Sequence, residues 1–308
     1  MTRTTLQRVL PVVASVAILV WLLEGIDFGA LADALSWRVA GLMTVAMLAY
    51  GAVALWLEVV TITRLLQDEE ATLSHWNAAR IKSASYLLGM VNYALGVAAL
   101  SLLLHRRASV PLGRAAGLVI LVSSADLIVV LLLAGMSAAV MQTGPGLHAG
   151  VLLVGLVGFF GGLLLLRMPG SLGPLEKLRQ LPIFDGLRTI TPRRLAELFA
   201  LRLIFSACFV SVCASSFYAF DVRVPMLELV SGVLIVALVG AVPIGVAGLG
   251  TTQAAFLYLY SEYASQETLL AMSLVLTAGM LLLRAAMGMV FAREYTREAL
   301  ESARTAPT

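Results

Sequence analysis

The sequence predicts an all-α polytopic integral membrane protein. It has six full spans and two oppositely oriented re-entrant helical hairpins, forming an inverted repeat within a single transmembrane domain, residues 1–308. Three observations predict this class. First, 60% of the 308 residues are hydrophobic and only 13% are charged, with a mean hydropathy of +0.95, which leaves too little polar surface for a water-soluble domain. Second, apolar runs of about twenty residues, the length a helix needs to cross a bilayer, recur along the chain. Third, Arg and Lys are concentrated between these runs. The net charge of +3 and the pI near 9.0 therefore read as topology signals and not as a nucleic-acid surface.

Arg3 and Arg8 precede the first apolar run, Val9 to Leu23. With Ala30-Leu-Ala32 behind it, the run has the outline of a signal peptide, but Glu24 and Asp27 do not suit a cleavage region and a first span is the better reading. Val39 to Ile62 is a second span. The mixed-charge segment from Arg64 to Lys82, which contains Asp68, Glu69 and Glu70, reads as a surface helix or loop. Ser83 to Leu104 is apolar but interrupted by Gly89, Asn92 and Gly96, with Arg80 and Lys82 before it and Arg106, Arg107 and Arg114 after it. Ala115 to Ala139 and Val151 to Leu166 are spans joined by an uncharged Gly/Pro turn. Arg167 to Arg194 is basic, with Leu175, Leu178 and Leu181 at helical spacing, and reads either as an interfacial helix on anionic head groups or as a cytoplasmic loop. Leu195 to Phe220 spans, Leu229 to Glu262 is the second interrupted stretch, and Thr268 to Phe291 is the last span before Arg293, Arg297 and Arg304.

The positive-inside rule decides how the two interrupted stretches run. If both are hairpins that return to the face they entered, nearly all Arg and Lys fall on the cytoplasmic side, and only Arg38 and Arg223 face out. If both cross completely, the bias vanishes. The hairpin arrangement places both termini inside, with the first hairpin entering from the cytoplasm and the second from outside. The first repeat then covers about 39–139 with its hairpin at 83–104, and the second about 195–291 with its hairpin at 229–262. Leu87-Leu-Gly-Met-Val-Asn92 aligns with Leu238-Val-Gly-Ala-Val-Pro243 in the same sense, though the match is short.

The second hairpin holds the most distinctive motif, Pro243-Ile-Gly-Val-Ala-Gly-Leu-Gly-Thr-Thr-Gln253. A broken helix survives in lipid only where protein or a wet cavity satisfies its freed backbone groups. Secondary transporters build midplane substrate sites from such breaks. Gly245, Gly248 and Gly250 suit a turn needing positive φ or close backbone approach. Thr251, Thr252 and Gln253 offer hydroxyl and amide groups to a ligand, or a local cap to the second half-helix. Asp126, Arg202 and Arg284 are ionisable and lie inside expected spans. Asp126 is roughly 16 Å deep at 1.5 Å per residue, and Arg202 and Arg284 are each roughly 10 Å deep. Charges at such depth normally pair inside the bundle, so Asp126 is expected to meet Arg284 or Arg202 beside the hairpin tips. The alternative is that both arginines snorkel and Asp126 is protonated.

Pro243-Ile-Gly-Val-Ala-Gly-Leu-Gly-Thr-Thr-Gln-Ala-Ala255, together with Asn92, Gly96, Arg106, Arg107 and Ser124-Ala-Asp126, resembles the flippase-like transmembrane domain of lysylphosphatidylglycerol synthases and their free-standing relatives. Gln253 stands where that family has Glu, and Asn92-Tyr-Ala-Leu lacks the expected proline. With the chain ending soon after the last span, the resemblance implies lipid movement and not lipid aminoacylation.

Catalytic patterns are not visible. His75, His105 and His148 are scattered, no HExxH or Cys/His spacing exists, and no GxxxxGK loop is present. Cys208 and Cys213, five apart in one apolar run, point to different sides of a helix. The expectation is a non-enzymatic protein with no cofactor and no metal. It moves a phospholipid or polyprenyl-linked lipid across the bacterial inner membrane through a midplane site made by Asn92, Asp126, Arg202, Pro243, Gly245, Gly248, Gly250, Thr251, Thr252, Gln253 and Arg284. The alternative function is a lipid-binding accessory or scaffold for a partner glycosyltransferase or lipid-modifying enzyme.

Overall fold

The computed structural model describes residues 36–67, 73–91, 93–140, 145–169, 176–241 and 250–305. The expected first span at 9–23, Asn92, and Pro243, Gly245 and Gly248 lie outside them. Among the described residues every regular element is a helix: α1 (Trp37–Gln67), α2 (His75–Val91), α3 (Tyr93–Ala108), α4 (Leu112–Val140), α5 (Pro145–Arg167), α6 (Glu176–Arg179), α7 (Asp185–Thr189), α8 (Pro192–Ala219), α9 (Met226–Ala241), α10 (Thr251–Tyr260) and α11 (Gln266–Thr305), with a 3-10 turn at Pro182–Phe184. Four of these helices are long and apolar enough to cross a membrane: α1, α4, α8 and α11.

The helix starts are chemically defined. Ser36, Ser74 and Ser265 each accept a hydrogen bond from the backbone N–H three residues on, at 3.3, 3.2 and 3.3 Å. Thr191 does the same for Arg194 at 3.2 Å, with Pro192 in the first helical position. A side-chain oxygen there satisfies an amide that the helix itself leaves open.

The centre of the bundle is the antiparallel pair α1 and α8. Arg38 meets Asp221 at 2.6 Å at one end, the rings of Tyr50 and Phe209 lie 6.4 Å apart midway, and Glu58 meets Arg202 at 3.1 Å near the other end. Around this pair two pairs of helices pack at opposite ends. The first unit, α2–α3, shares a core with Val59, Ile62, Leu65 and Leu66 of α1, the beginning of α4, and Leu198 of α8. The second, α9–α10, shares a core with Val39, Met43 and Met47 of α1, the end of α8, and Leu269, Met272 and Leu276 of α11.

The packing repeats itself. α1 lies on α2 as α8 lies on α9; α3 on α4 as α10 on α11; α2 on α11 as α9 on α4; and α1 on α11 as α8 on α4.

Helix α2 starts well before the expected hairpin, and this corrects the reading of 64–82. Leu65 and Leu66 are buried at the end of α1, and Ala78 and Ile81 are buried on α2, so this stretch presents an apolar face to the core despite its charges. Lys82, read as a flanking topology charge, is inside the bundle. The basic stretch from 167 to 194 holds only short pieces and no single interfacial helix among its described residues. α7 packs on α4, with Asp185 bridging to Arg114 at 3.4 Å, while Arg167 donates to the Leu187 and Ile190 carbonyls.

Candidate functional site: a buried ion network

The α1–α8 pair and two flanking helices bring four charges together. Glu58, in the last third of α1, accepts from Arg202 Nη1 through Oε1 at 3.1 Å. Its other oxygen, Oε2, lies 3.1 Å from Lys82 Nζ on α2. Arg202 Nη2 donates to Thr61 Oγ1, whose own proton goes to the Leu57 carbonyl at 2.8 Å, so the threonine oxygen is free to accept. Asp126 Oδ1 on α4 lies 3.6 Å from the same Arg202 Nη1 that Glu58 uses. Phe205 lies under the guanidinium at 5.3 Å and Tyr86 under the Lys82 ammonium at 5.5 Å, a favourable stacking for cations out of water.

Two carboxylates face two cations, so the network is neutral. That balance matters because an unpaired charge in a low-dielectric interior costs several kcal/mol. The four members are not equally enclosed. Side-chain exposure is 0% for Arg202, 7% for Glu58, 16% for Lys82 and 36% for Asp126. Arg202 and Glu58 form the closed core, and Asp126 is the open edge. Arg202 Nε is buried with no hydrogen-bond partner.

Of the two pairings expected for Asp126, the structure makes the one with Arg202. Arg284 is exposed on α11 and lies within electrostatic reach of Tyr50 and Tyr86. Glu58, Thr61 and Lys82 are site residues that the sequence pattern alone does not single out. Glu58 does carry a hint, since it is the one charged residue in the run Val39–Ile62. What sequence spacing does not supply is the register of α1 on α8 that makes Arg202 its partner.

The second hairpin's described motif residues form a separate, uncharged cluster. Gly250 has φ of 87°, the left-handed region open to glycine, and it precedes α10. Its N–H donates to Gln253 Oε1 at 2.7 Å, and Thr252 Oγ1 donates to the same oxygen at 3.2 Å. Gln253 Nε2 donates to Thr277 Oγ1 on α11 at 3.1 Å, while Thr277 donates to the Ser273 carbonyl at 2.8 Å. Gln253 is fully buried, and its amide fastens the start of α10 to α11. Thr251 is half-buried beside it.

Two helical hairpins around a central pair of long apolar helices, with a charge network where the first hairpin meets that pair, define a polytopic helical membrane protein with a polar interior. The chain belongs to the family described as the lysylphosphatidylglycerol synthase TM region, whose profile matches residues 8–288. No curated protein matches it. The family ties the chain to membrane lipids.

Proposed function

We propose that this protein transports a lipid across the bacterial inner membrane, with α2–α3 and α9–α10 as re-entrant hairpins entering from opposite faces and both termini cytoplasmic. The observation that carries the reading is the paired packing pattern. Four contacts of the α1–α4 half have counterparts in the α8–α11 half, with the hairpins at opposite ends of the α1–α8 pair. Related halves of opposite orientation are how many secondary transporters are built, with the substrate path at the interface of the halves. The hairpin helices support re-entrance by length. α10 has 10 residues and α9 has 16, so at 1.5 Å per residue they reach roughly 15 and 24 Å, short of a bilayer core of about 30 Å.

In this reading Asp126 and Arg202 face the head group where the halves meet, the chain performs no covalent chemistry, and the lipid is a phospholipid or polyprenyl-linked lipid. Reconstitution into liposomes with fluorescent lipids of each class tests it. The expected result is that label becomes accessible to an impermeant quencher faster than in protein-free vesicles for at least one class. Folded protein that accelerates none contradicts transport and favours the lipid-binding scaffold.

A further inference from the structure

Asp126 is where the ion network opens, and it is also the network's most weakly held member. Its contact with Arg202 is 3.6 Å, against 3.1 Å for Glu58 to Arg202 and 3.1 Å for Glu58 to Lys82. When Asp126 leaves, Arg202 is still held by Glu58 and Thr61. Glu58 has no such freedom, because it is the partner of both cations. We propose that Asp126 is the coupling-proton site of this transporter: a lipid phosphate replaces the Asp126 carboxylate on Arg202, and the displaced carboxylate takes up a proton. The inference rests on the lipid-transport reading above and adds to it a co-substrate and a head-group class.

Charge balance supplies the reason. With Asp126 ionised, Glu58 and Asp126 offset Lys82 and Arg202, and a phosphate finds no uncompensated cation. With Asp126 protonated, Glu58 alone faces both cations and the site carries one positive charge, which a phosphate diester neutralises. Arg202 is equipped for the exchange. Its Nε is buried without a hydrogen-bond partner, and a guanidinium matches phosphate oxygens in a two-point geometry. The proton is supplied by water reaching the carboxylate, forms an O–H bond on it, and returns to water when the phosphate leaves and the carboxylate rejoins Arg202. Nothing is oxidised or reduced.

The charged groups acting on Asp126 are Arg202 from α8, Glu58 from α1 and Lys82 from α2. Of the other elements packed on α4, α3 carries His105, Arg106 and Arg107 at its end, α5 carries His148 and Arg167 near its ends, and α9 carries Glu228 in its first turn. Asp185 and Arg188 of α7 pair with each other.

The test uses the full chain in liposomes with a fluorescent phosphatidylglycerol, following quencher access while pH is varied. Wild type should move the lipid faster as pH falls on the side where Asp126 is exposed, by up to about tenfold per pH unit, the limit for one proton. Asp126→Asn should lose that dependence and Asp126→Glu should keep it. Transfer by wild type that is independent of pH, or an Asp126→Asn profile like wild type, overturns the proposal while leaving lipid transport intact. Excess inorganic phosphate should not slow transfer, and equal competition would assign the site to free phosphate instead of lipid. If no lipid moves under any condition, the transport reading fails. Infrared difference spectra of the same protein still decide the proton site, by a protonated-carboxyl band that grows as pH falls in wild type and remains after the spectra of Asp126→Asn, which carry the bands of all the other carboxyls, are subtracted. Absence of that remaining band rejects it.

Discussion

The two hairpins are fastened to the bundle by different chemistry. The first is held by charge, with Lys82 of α2 reaching into the body of the protein to Glu58, which also holds Arg202. The second is held by neutral hydrogen bonds. Gln253 links the start of α10 to Thr277 of α11, while within the hairpin the Tyr260 hydroxyl donates to the Leu229 carbonyl of α9 at 2.9 Å. The first hairpin also closes on small residues. A Cβ on Gly96 would sit 2.7 Å from the Gly89 Cα across the α2–α3 contact, a separation that only glycine permits. The difference teaches that similar packing does not require similar energetics. A charged fastening is costly to break on one side only, whereas an amide fastening is modest and indifferent to pH.

Breaking the charged fastening at its hub should have the largest effect. Glu58→Gln leaves Arg202 and Lys82 facing Asp126 alone, and the expected loss is about 3–5 kcal/mol, the range for removing one partner of a buried pair. A thermal-unfolding scan in detergent measures it, and a change near zero would mean that water already screens the cluster. Asp126→Asn should cost less than Glu58→Gln in the same scan, because Arg202 keeps Glu58 and Thr61.

Gln253→Ala cuts the neutral fastening and should cost about 1–3 kcal/mol, the range for leaving buried polar groups unsatisfied. Gln253→Glu sharpens the contrast. A protonated carboxyl can accept from Gly250 and donate to Thr277 as the amide does, but an ionised one loses the donor and buries a charge. Its folded-state pKa is therefore expected above the unfolded value of about 4.3. The variant should match wild type below that pH and lose stability as pH rises above it, while wild-type Gln253 contributes no such slope. A flat stability difference across pH would show that the start of α10 is wetter than its burial implies.

The smallest effect belongs to Arg38→Ala. Its pair with Asp221 is short but more than half exposed on both sides, and solvent screens such pairs, so the unfolding midpoint should barely move.

Much of this arrangement was legible in the sequence, for identifiable reasons. Apolar length marked α1, α4, α8 and α11, because a spanning helix must hide its backbone over a fixed distance. That Asp126 meets Arg202 or Arg284 follows from the cost of charge at depth, and the structure makes the Arg202 contact. The glycine before Thr251 marked a backbone turn, and Gly250 does adopt positive φ. Other features were hidden because they depend on register. Glu58 and Lys82 are 24 positions apart, on helices whose relative rotation no local pattern encodes, and Lys82 reads as a flanking charge because Arg80, two residues before it, is also basic. Gln253 was read as a ligand group or a cap, and only the position of Thr277 shows where its amide goes.

The central claim, that the two hairpins enter from opposite faces, has a direct test. Ser109 follows α3 and Arg223 precedes α9, and both are exposed. In a chain whose Cys208 and Cys213 have been replaced, Ser109→Cys and Arg223→Cys are introduced one at a time and treated in intact cells with a membrane-impermeant maleimide. Opposite entry predicts that the cysteine at 223 is labelled and the one at 109 is protected until the membrane is permeabilised. Labelling of both, or of neither, in intact cells would contradict it.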